Sequence, residues 1–347
     1  MENNTINPKN YTIEELKTYL AVHREKAYRA SQIMHWVYHS KSMGRDDFIN
    51  VPLSVRELLD EDLCSLTLVR EQVSETDGTR KWAFATKDGH IIESVFMKYK
   101  HGNSICISSQ AGCRMGCSFC ASTLDGLSRN LTPAEMMDQI LLGMEISESP
   151  ISHVVIMGTG EPFDNYDNLQ TFLLNATDEK GLGLSRRHIT VSTCGILDQM
   201  NAFVEEFPQV GLAISLHAPN DDIRKKVMPI ALRYSIADIC TWSQKYFKVT
   251  GRRITYEYAL IHGVNDSLAC AAELARLFRG RNVHVNLIPL NEVDETGLKG
   301  SNRKVAETFL KVLDDAGVQA TIRRELGSDI SAACGQLRLD AMQESNG

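Results

Sequence analysis

The chain has 347 residues, of which 43% are hydrophobic and 23% are charged. This composition is typical of a folded globular protein, and it excludes a collagen, a coiled coil and a globally disordered chain. The formal net charge of −7 argues against a protein that binds nucleic acid through a uniformly basic surface. No run approaches the ~18 apolar residues of a membrane span, and residues 1–5 lack the pattern of a secretory signal, so we expect no membrane association and a cytoplasmic location.

The first hundred residues are predicted to form two small units. In residues 11–65, apolar side chains recur at helical spacing, which predicts that residues 1–65 form a helical N-terminal accessory domain. Residues 66–100 alternate between apolar and polar side chains, which predicts a β-meander with turns at Asp77-Gly78 and Asp88-Gly89. The predicted strands of the meander are 67–73, 81–86 and 90–98.

Residues 101–347 are predicted to form the main domain, in which strands alternate with amphipathic helices. The strands are largely continuous apolar runs, as expected of parallel strands that are buried on both faces. They are predicted at 104–109, 153–158, 188–193, 210–217, 253–261, 283–289 and 318–324. Six or more strand–helix units predict an α/β fold, a partial (βα)6-type barrel with its ligand sites at the carboxyl ends of the strands.

Three of the nine cysteines, Cys113, Cys117 and Cys120, lie within eight residues in a C-x3-C-x2-C spacing. Three thiolates on one short loop suit a cuboidal [4Fe–4S] cluster and leave its fourth iron open for another ligand. The alternatives are a zinc site completed by a histidine, or simply buried cysteines. Zinc loops usually pair a C-x2-C with a second such pair, which this sequence lacks, so the spacing favours the iron–sulfur cluster.

This spacing resembles that of radical S-adenosylmethionine (SAM) enzymes, and further motifs resemble the RlmN family, whose members methylate C2 of adenosine in RNA. These motifs are Ser108-Ser109-Gln110-Ala111-Gly112-Cys113, Cys120-Ala121-Ser122-Thr123, Gly158-Thr159-Gly160-Glu161-Pro162, Ser215-Leu216-His217-Ala218-Pro219-Asn220, Gly263-Val264-Asn265-Asp266 and Ala333-Cys334-Gly335-Gln336-Leu337. The resemblance extends from about residue 93 to residue 339, and residues 1–65 also fit the accessory domain of the family, which implies that these residues bind RNA.

The resemblance implies a [4Fe–4S] cluster on Cys113, Cys117 and Cys120, and two SAM molecules for each turnover. It also implies that residues at the strand ends bind SAM: Gly160, Glu161, Ser192, Ser215, Leu216, His217 and Asn291. Without the resemblance, the same residue types would suit strand-to-helix turns and helix caps.

Three catalytic residues are also implied by the resemblance. Cys334 would carry a methyl group taken from one SAM, and a radical derived from the second SAM would activate that methyl group for addition to the adenine. Cys106 would then release the product by forming a transient disulfide with Cys334. Glu93 would accept the proton from the substrate carbon. Considered alone, the two cysteines suit a buried core and Glu93 suits a solvated strand face.

We therefore expect a methyltransferase for C2 of an adenosine in the peptidyl-transferase region of 23S rRNA, and for the adenosine 3′ of the anticodon in tRNAs. An electron donor such as flavodoxin or ferredoxin is an expected partner, and the chain is expected to be a monomer. One alternative is a Cfr-like enzyme that methylates C8 of the same rRNA base and confers antibiotic resistance. Another is a non-catalytic iron–sulfur or zinc protein that binds RNA. Predicted RNA contacts are Arg24, Lys26 and Arg29 on an N-terminal helix, and Arg129, Arg186-Arg187-His188, Arg252-Arg253 and Arg323-Arg324.

Overall fold

The computed structural model describes residues 5–40, 43–291, 294–324 and 326–330 of the chain. Its strands are β1 (Leu66–Val73), β2 (Arg80–Thr86), β3 (Ile91–Tyr99), β4 (Gly102–Ile107), β5 (Gln110–Gly112), β6 (Leu127–Asn130), β7 (His153–Ile156), β8 (Ile189–Thr193), β9 (Gly211–Ser215), β10 (Ile254–Leu260), β11 (Val283–Pro289) and β12 (Ala320–Ile322). Its helices are α1 (Ile13–Val22), α2 (Arg29–Tyr38), α3 (Leu53–Arg56), α4 (Pro133–Ser147), α5 (Tyr166–Thr177), α6 (Leu197–Glu206), α7 (Asp221–Val227), α8 (Ile236–Thr250), α9 (Leu268–Phe278) and α10 (Arg303–Asp315).

Ten of these strands form one sheet, in the order β1-β2-β3-β4-β7-β8-β9-β10-β11-β12. Strands β1 to β4 pair antiparallel, whereas β4 and the six strands after it in this order pair in parallel. The predicted α/β fold with a partial barrel is confirmed. The meander continues the sheet of the barrel because β3 pairs directly with β4.

The two faces of strands β2 to β4 have different surroundings. On one face, Trp82 and Ile105 pack so closely on Gly143 of α4 that a Cβ on this glycine would lie 3.1 Å from the first side chain and 2.9 Å from the second. Ser94 on β3 donates a hydrogen bond to Gln139 of α4 on the same face. Since side chains alternate along a strand, the neighbours of these residues point to the inner face of the barrel.

The N-terminal region is less helical than the predicted helical module over residues 11–65. Helix α1 begins with the capping box of Thr12 and Glu15, but α3 has only four residues. Pro52, at the N-cap of α3, disfavours helical backbone at Val51 and so separates α3 from the chain before it. The region packs on the barrel through a buried ion pair between Lys9 and Asp138 of α4.

A two-stranded hairpin of β5 and β6 stands apart from the large sheet. The sequence did not predict it, because strands of three and four residues are too short to show an alternating pattern. In the part of the chain that the structure describes, no helix has both the length and the apolar character needed to cross a membrane.

Candidate active site

The three clustered cysteines lie on the loop that joins β5 to β6. The amide of Cys113 donates to the carbonyl oxygen of Gly126 at 2.9 Å, and the amide of Cys120 donates to that of Cys117 at 3.1 Å. Gly112 has a φ of +81°, and a Cβ on it would lie 2.0 Å from the carbonyl oxygen of Gly126. Only glycine fits there, so the backbone closes the loop tightly before the first cysteine.

The thiols of this loop suit a metal cluster. Cys113 and Cys117 are buried, whereas Cys120 is partly exposed. Burial raises the pKa of Cys113 to about 12, and burial also raises the pKa of Cys117. A metal must therefore replace the thiol protons when it binds. Among the described residues, no three His, Cys, Asp or Glu side chains are grouped as a single metal ion would require. The assignment of a cluster rests on the spacing of the three thiols, each of which would bind a different iron.

Three buried hydroxyls near the loop lack a hydrogen-bond partner among the described residues. They are the side-chain oxygens of Ser109, Ser122 and Thr159. A buried polar atom without a partner is costly, by roughly 1–3 kcal/mol, so such groups in a native site call for a ligand or water. These hydroxyls, together with the thiols, fit a cluster that carries a polar small molecule.

Gly160 and Glu161 lie on the loop after β7. Gly160 has a φ of +106°, and a Cβ on it would lie 2.6 Å from Cβ of Gln110. The Gln110 side chain accepts a hydrogen bond of 2.8 Å from the amide of Glu161 and so joins this loop to β5. The Glu161 carboxylate is buried and accepts hydrogen bonds from the amides of Cys194, at 2.7 Å, and Phe163, at 3.1 Å. Burial raises the pKa of Glu161, and an added cation would favour its charged form.

His217, after β9, is buried and has a left-handed backbone with a φ of 53°. Its Nδ1 accepts a hydrogen bond of 2.9 Å from the amide of Ala259, so the ring is the tautomer with hydrogen on Nε2. Burial, with a smaller contribution from Arg224, lowers the pKa of His217 to about 3. Its neutral ring packs edge-on against Phe119 of the cysteine loop, with a distance of 4.8 Å between ring centroids.

The other predicted SAM residues lie at the same carboxyl end of the parallel strands. Ser192 and Ser215 are half-buried near the ends of β8 and β9. Leu216 is fully buried, and its amide donates to the carbonyl oxygen of Glu257 at 3.0 Å. Asn291, two residues after β11, is exposed. The structure thus places these residues at one end of the barrel, and their contacts with SAM stay predictions. We call Glu161, Ser192, Ser215 and His217 the parallel wall.

Arg224 of α7 is a residue of this site that the sequence analysis missed. It is fully buried, and its guanidinium donates to the carbonyl oxygens of Cys194, at 2.8 Å, and Tyr234, at 3.0 Å. A third hydrogen bond, of 3.3 Å, goes to the carbonyl oxygen of Leu216. The arginine therefore ties together the chain that follows β8 and β9. In the sequence it stands in a run of charged residues typical of an exposed helix, so no signal distinguishes it.

Glu93 and Cys106 lie on the inner face of the antiparallel part of the barrel. In the register of the sheet, Lys81 is opposite Val95, and Val95 is opposite Cys106. Glu93 precedes Val95 by two residues and shares its face, so Glu93 and Cys106 are diagonal neighbours, at about 7–8 Å. We call Lys81, Glu93 and Cys106 the meander wall. Cys334 lies outside the described residues, so its distance from this wall stays untested.

Glu93 forms a buried ion pair that the sequence analysis did not predict. Its Oε1 lies 3.3 Å from Nζ of Lys81, and the side chains are 5% and 0% exposed, respectively. A solvated strand face, the alternative considered for Glu93, is therefore excluded. The alternation of β2 could have suggested an inward lysine, but it could not have identified the partner.

The predicted RNA contacts have varied surroundings. Arg24 and Lys26 lie between α1 and α2, so their predicted place on a helix is wrong; Arg24 has a φ of 61°. Arg129 forms ion pairs with Asp88 and Glu135, at 2.6 and 2.7 Å. These two carboxylates neutralise its charge, so Arg129 is a weaker candidate for an RNA phosphate than the sequence indicated.

Comparison with known proteins agrees with this geometry. The profile of the Radical SAM superfamily matches residues 107–276, and that of the "Ribosomal RNA large subunit methyltransferase N-terminal domain" matches residues 6–64. The chain is 48% identical over 331 residues to a probable dual-specificity RNA methyltransferase RlmN of Clostridium novyi, which covers 95% of this chain and 96% of the relative. It is 47% identical over 344 residues to the protein of the same name from Lachnospira eligens, with 98% of each chain covered.

A solved structure of a radical SAM methyltransferase from Sphaerobacter thermophilus is also similar. It superimposes with a TM-score of 0.89 at 41% sequence identity, over 94% of this chain and 98% of that one. The similarity to these relatives therefore extends over nearly the whole chain. The chain belongs to the RlmN family of radical SAM methyltransferases.

Proposed function

We propose that the chain methylates C2 of an adenosine in 23S rRNA, and the adenosine 3′ of the anticodon in tRNAs, through a methylated Cys334. In this proposal Cys113, Cys117 and Cys120 hold a [4Fe–4S] cluster, and SAM binds between the cluster loop and the parallel wall. When bound, the cluster and SAM supply the methyl group and the one-electron chemistry. Two SAM molecules are used in each turnover, one as methyl donor and one as radical source.

The observation that carries the proposal is the pairing of an acid and a thiol on one inner face. Glu93 and Cys106 are diagonal neighbours on the meander wall, and Ser108, two residues after Cys106, donates to the carbonyl oxygen of Glu93 at 2.7 Å. The same hydroxyl accepts a hydrogen bond of 2.9 Å from the amide of Thr159, next to Gly160. The acid, the thiol and the loop that bears Glu161 are therefore held in a fixed relation to one another.

Each residue of the meander wall has a distinct role in this proposal. Once the methyl carbon of Cys334 is bonded to C2 of the adenine, Glu93 accepts the proton from C2. The Cys106 thiolate would then attack the sulfur of Cys334, so that an S–S bond forms and the bond from that sulfur to the methyl carbon breaks. The unpaired electron left by the radical addition would return to the oxidised cluster held by Cys113, Cys117 and Cys120. The electron pair stays with the carbon, which takes up a proton to become the new methyl group. The disulfide is afterwards reduced by thiol exchange.

On the parallel wall, the residues bind and orient rather than transfer protons. The Glu161 carboxylate is an acceptor for the SAM ammonium. His217 offers Nε2–H as a donor, and the hydroxyls of Ser192 and Ser215 suit ribose or the SAM carboxylate. Apolar packing of Phe119 on His217 helps to exclude water from the thiols of the loop.

The test is to express the gene in a bacterial host that lacks its own RlmN enzyme. RNA is then digested, and 2-methyladenosine is separated from 8-methyladenosine by chromatography and mass spectrometry. We expect 2-methyladenosine in both 23S rRNA and tRNA, and none from a Cys334→Ala variant. 8-Methyladenosine would instead support the Cfr-like alternative, and no methylated adenosine from a cluster-loaded enzyme would contradict the proposal.

A further inference from the structure

A shallow groove adjoins the cysteine loop. It is lined by two residues of this loop and four of the segment that follows α7, namely Arg114, Met115, Pro229, Ile230, Leu232 and Arg233. None of the residues that are predicted to bind SAM is part of this lining. We call these six residues the loop groove, because they form a surface separate from the predicted SAM site between the same loop and the parallel wall.

The loop groove is close to the clustered thiols. Arg114 and Met115 lie between Cys113 and Cys117 in the chain, so each is at most two residues away from one of these cysteines. Since consecutive Cα atoms are about 3.8 Å apart, a partner in the groove would contact backbone within about 8 Å of a residue that holds the cluster. An electron that entered here would therefore cross only a few atoms of protein.

The segment after α7 packs against the cysteine loop, which fixes the two sides of the groove relative to each other. The amide of Ser118 donates to the carbonyl oxygen of Val227, the last residue of α7, at 3.0 Å. A Cβ on Gly116 would lie 3.4 Å from Cγ of Pro229, which is van der Waals contact. The groove is therefore formed by the folded chain itself.

The centre of the loop groove is apolar. Leu232 is 78% exposed, and Pro229 beside it is exposed as well. Met115 and Ile230 are half-buried and continue this apolar surface. Contiguous apolar surface that faces water is typical of a site where another molecule binds.

The border of the loop groove is cationic. The Arg114 side chain is 62% exposed, whereas its ion-pair partner Asp164 is 10% exposed, so the surface there carries the positive charge. Arg233 is also exposed and pairs with Asp198 at 2.7 Å. Residues 225–226, both lysines, are exposed at the end of α7 that adjoins the loop. Among the described residues, no acidic side chain lines the groove itself.

An apolar centre with a cationic border suits a particular kind of partner. Reductive cleavage of SAM needs one electron, which must first come from a reductant outside the chain. Small acidic proteins of the flavodoxin or ferredoxin kind carry single electrons. Cationic groups steer an acidic partner to a surface, and the complex is weakened by salt. Electron-transfer complexes bury little surface, below about 1,200 Å², which a shallow groove can provide.

We propose that the loop groove is the docking surface for a small acidic protein that donates single electrons to the cluster. This inference rests on the proposed function, in which Cys113, Cys117 and Cys120 hold the cluster. One electron leaves the reduced carrier and enters the oxidised cluster, and no bond forms or breaks. Because a complete turnover returns its electron to the cluster, the carrier supplies the first reduction and replaces electrons lost when SAM is cleaved without methylation.

RNA is another polyanion that a cationic surface could bind, but the position of the groove favours the electron carrier. The base is modified at the meander wall, on β2 to β4, whereas the groove adjoins α7, which follows β9, three strands further along the sheet. The groove is lined by aliphatic side chains and arginines, and not by the aromatic rings on which unpaired bases stack.

The experiment compares the wild type with Leu232→Asp and Arg233→Glu, all loaded with cluster. Reduction of the cluster by reduced flavodoxin is followed by absorbance in a stopped-flow spectrometer. We expect both variants to react about tenfold more slowly at low salt, because the new negative charge opposes an acidic partner. The difference should shrink as salt is added. Photoreduced deazaflavin, a small molecule that needs no docking surface, should reduce all three proteins equally fast.

The matched controls are Val249→Asp and Arg303→Glu, which should react with flavodoxin as the wild type does. Val249 is an exposed apolar residue near the end of α8, and Arg303 is an exposed arginine of α10 that pairs with Glu307. Equal flavodoxin rates in all five proteins would overturn the docking surface, as would an equal slowing with deazaflavin. Weaker RNA binding by Leu232→Asp and Arg233→Glu, with unchanged flavodoxin rates, would assign the groove to RNA instead.

Failure of the docking surface and failure of the proposed function give different results in the wild type. If deazaflavin reduces the cluster but neither flavodoxin nor ferredoxin does, the docking surface alone is refuted. If flavodoxin reduces the cluster but RNA stays unmethylated, the proposed function is refuted, and the flavodoxin rates of the variants still decide the docking surface.

Discussion

The two walls of the barrel differ in the kind of polar group that they carry. The parallel wall bears neutral or acceptor groups at strand ends, and its histidine is held uncharged by burial and by the amide of Ala259. The meander wall bears a buried ion pair between Lys81 of β2 and Glu93 of β3, and the thiol of Cys106 one strand away. The groups of the parallel wall are suited to binding a ligand, whereas the acid and the thiol of the meander wall face the interior of the barrel, where a base would be modified.

This difference indicates that the two walls have separate roles in the reaction. Substitutions in the cysteine loop should then abolish SAM cleavage and methylation. Substitutions in the meander wall should block only the later steps on RNA, and substitutions in the parallel wall should weaken the binding of SAM. Each of the following variants is designed to separate these outcomes.

The largest effect is expected from Cys113→Ala. The wild type, purified without oxygen, should be brown and contain about four irons per chain, as for one cubane cluster. The variant should lose the cluster, SAM cleavage and RNA methylation together, because all of them depend on the loop. Iron analysis and cleavage assays check this. Cys240→Ala, which removes a buried thiol on α8, is the control and should retain iron and activity. Stoichiometric zinc without iron in the wild type would contradict the cluster.

Cys106→Ala should stop the reaction at a later point. Its cluster and SAM cleavage remain, and methylation of Cys334 and addition to the base can proceed. Release of the methylated base from Cys334 cannot proceed, because the thiol that attacks the Cys334 sulfur is missing. We therefore expect a covalent protein–RNA species, visible as a slow band in denaturing electrophoresis that nuclease removes.

The control is the Cys106→Ala, Cys334→Ala double variant, from which the slow band should be absent. Cys334→Ala alone should cleave SAM reductively but leave RNA unmethylated. Normal turnover by Cys106→Ala would show that Cys106 is only a core residue, and the meander wall would then lose its proposed role in product release.

The sequence predicted the barrel well because buried parallel strands are long apolar runs. The parallel strands were predicted to within a few residues. The β5–β6 hairpin was not predicted, because its strands are too short to show an alternating sequence pattern and are defined only by their pairing with each other. Motif spacing identified the cysteine loop, but not Arg224, whose buried guanidinium is bound by carbonyl groups from three separate loops. The same limit applies to Lys81, since its partner Glu93 lies on another strand.

Lys81→Met tests the ion pair of the meander wall. Removal of one partner from a buried pair leaves the other charge uncompensated, which typically costs about 3–5 kcal/mol. We expect the free energy of unfolding to fall by about this amount, measured by denaturant titration. Lys81→Arg, which keeps the positive charge, should lose much less of the free energy of unfolding. The double variant Lys81→Met, Glu93→Gln should regain much of the stability but should not methylate RNA, since the base is gone.

The matched control is Lys87→Met, which removes a lysine whose Nζ lies 3.4 Å from Asp62 on the surface. Both of these side chains are more than half exposed, so the loss should be at most about 1 kcal/mol. If Lys81→Met and Lys87→Met were equally stable, the buried ion pair would contribute no more to stability than the surface pair. The contrast between the two walls would then disappear.

The smallest effect is expected from His217→Asn on the parallel wall, and it depends on pH. Burial lowers the pKa of His217 to about 3 in the folded chain, whereas an unfolded histidine has a pKa of about 6.5. Between pH 3 and pH 6.5 the His217 ring is protonated in the unfolded state but not in the folded state. This group therefore contributes stability above pH 6.5 that is lost as the pH falls toward 3. The slope is at most about 1.4 kcal/mol for each pH unit. Asparagine has its Oδ1 at the position of Nδ1 and can still accept the amide of Ala259, but it cannot titrate. The variant should therefore lose less stability than the wild type between pH 6.5 and 4.5. Denaturant titrations at several pH values measure the difference, and parallel curves would show that the ring is not held neutral.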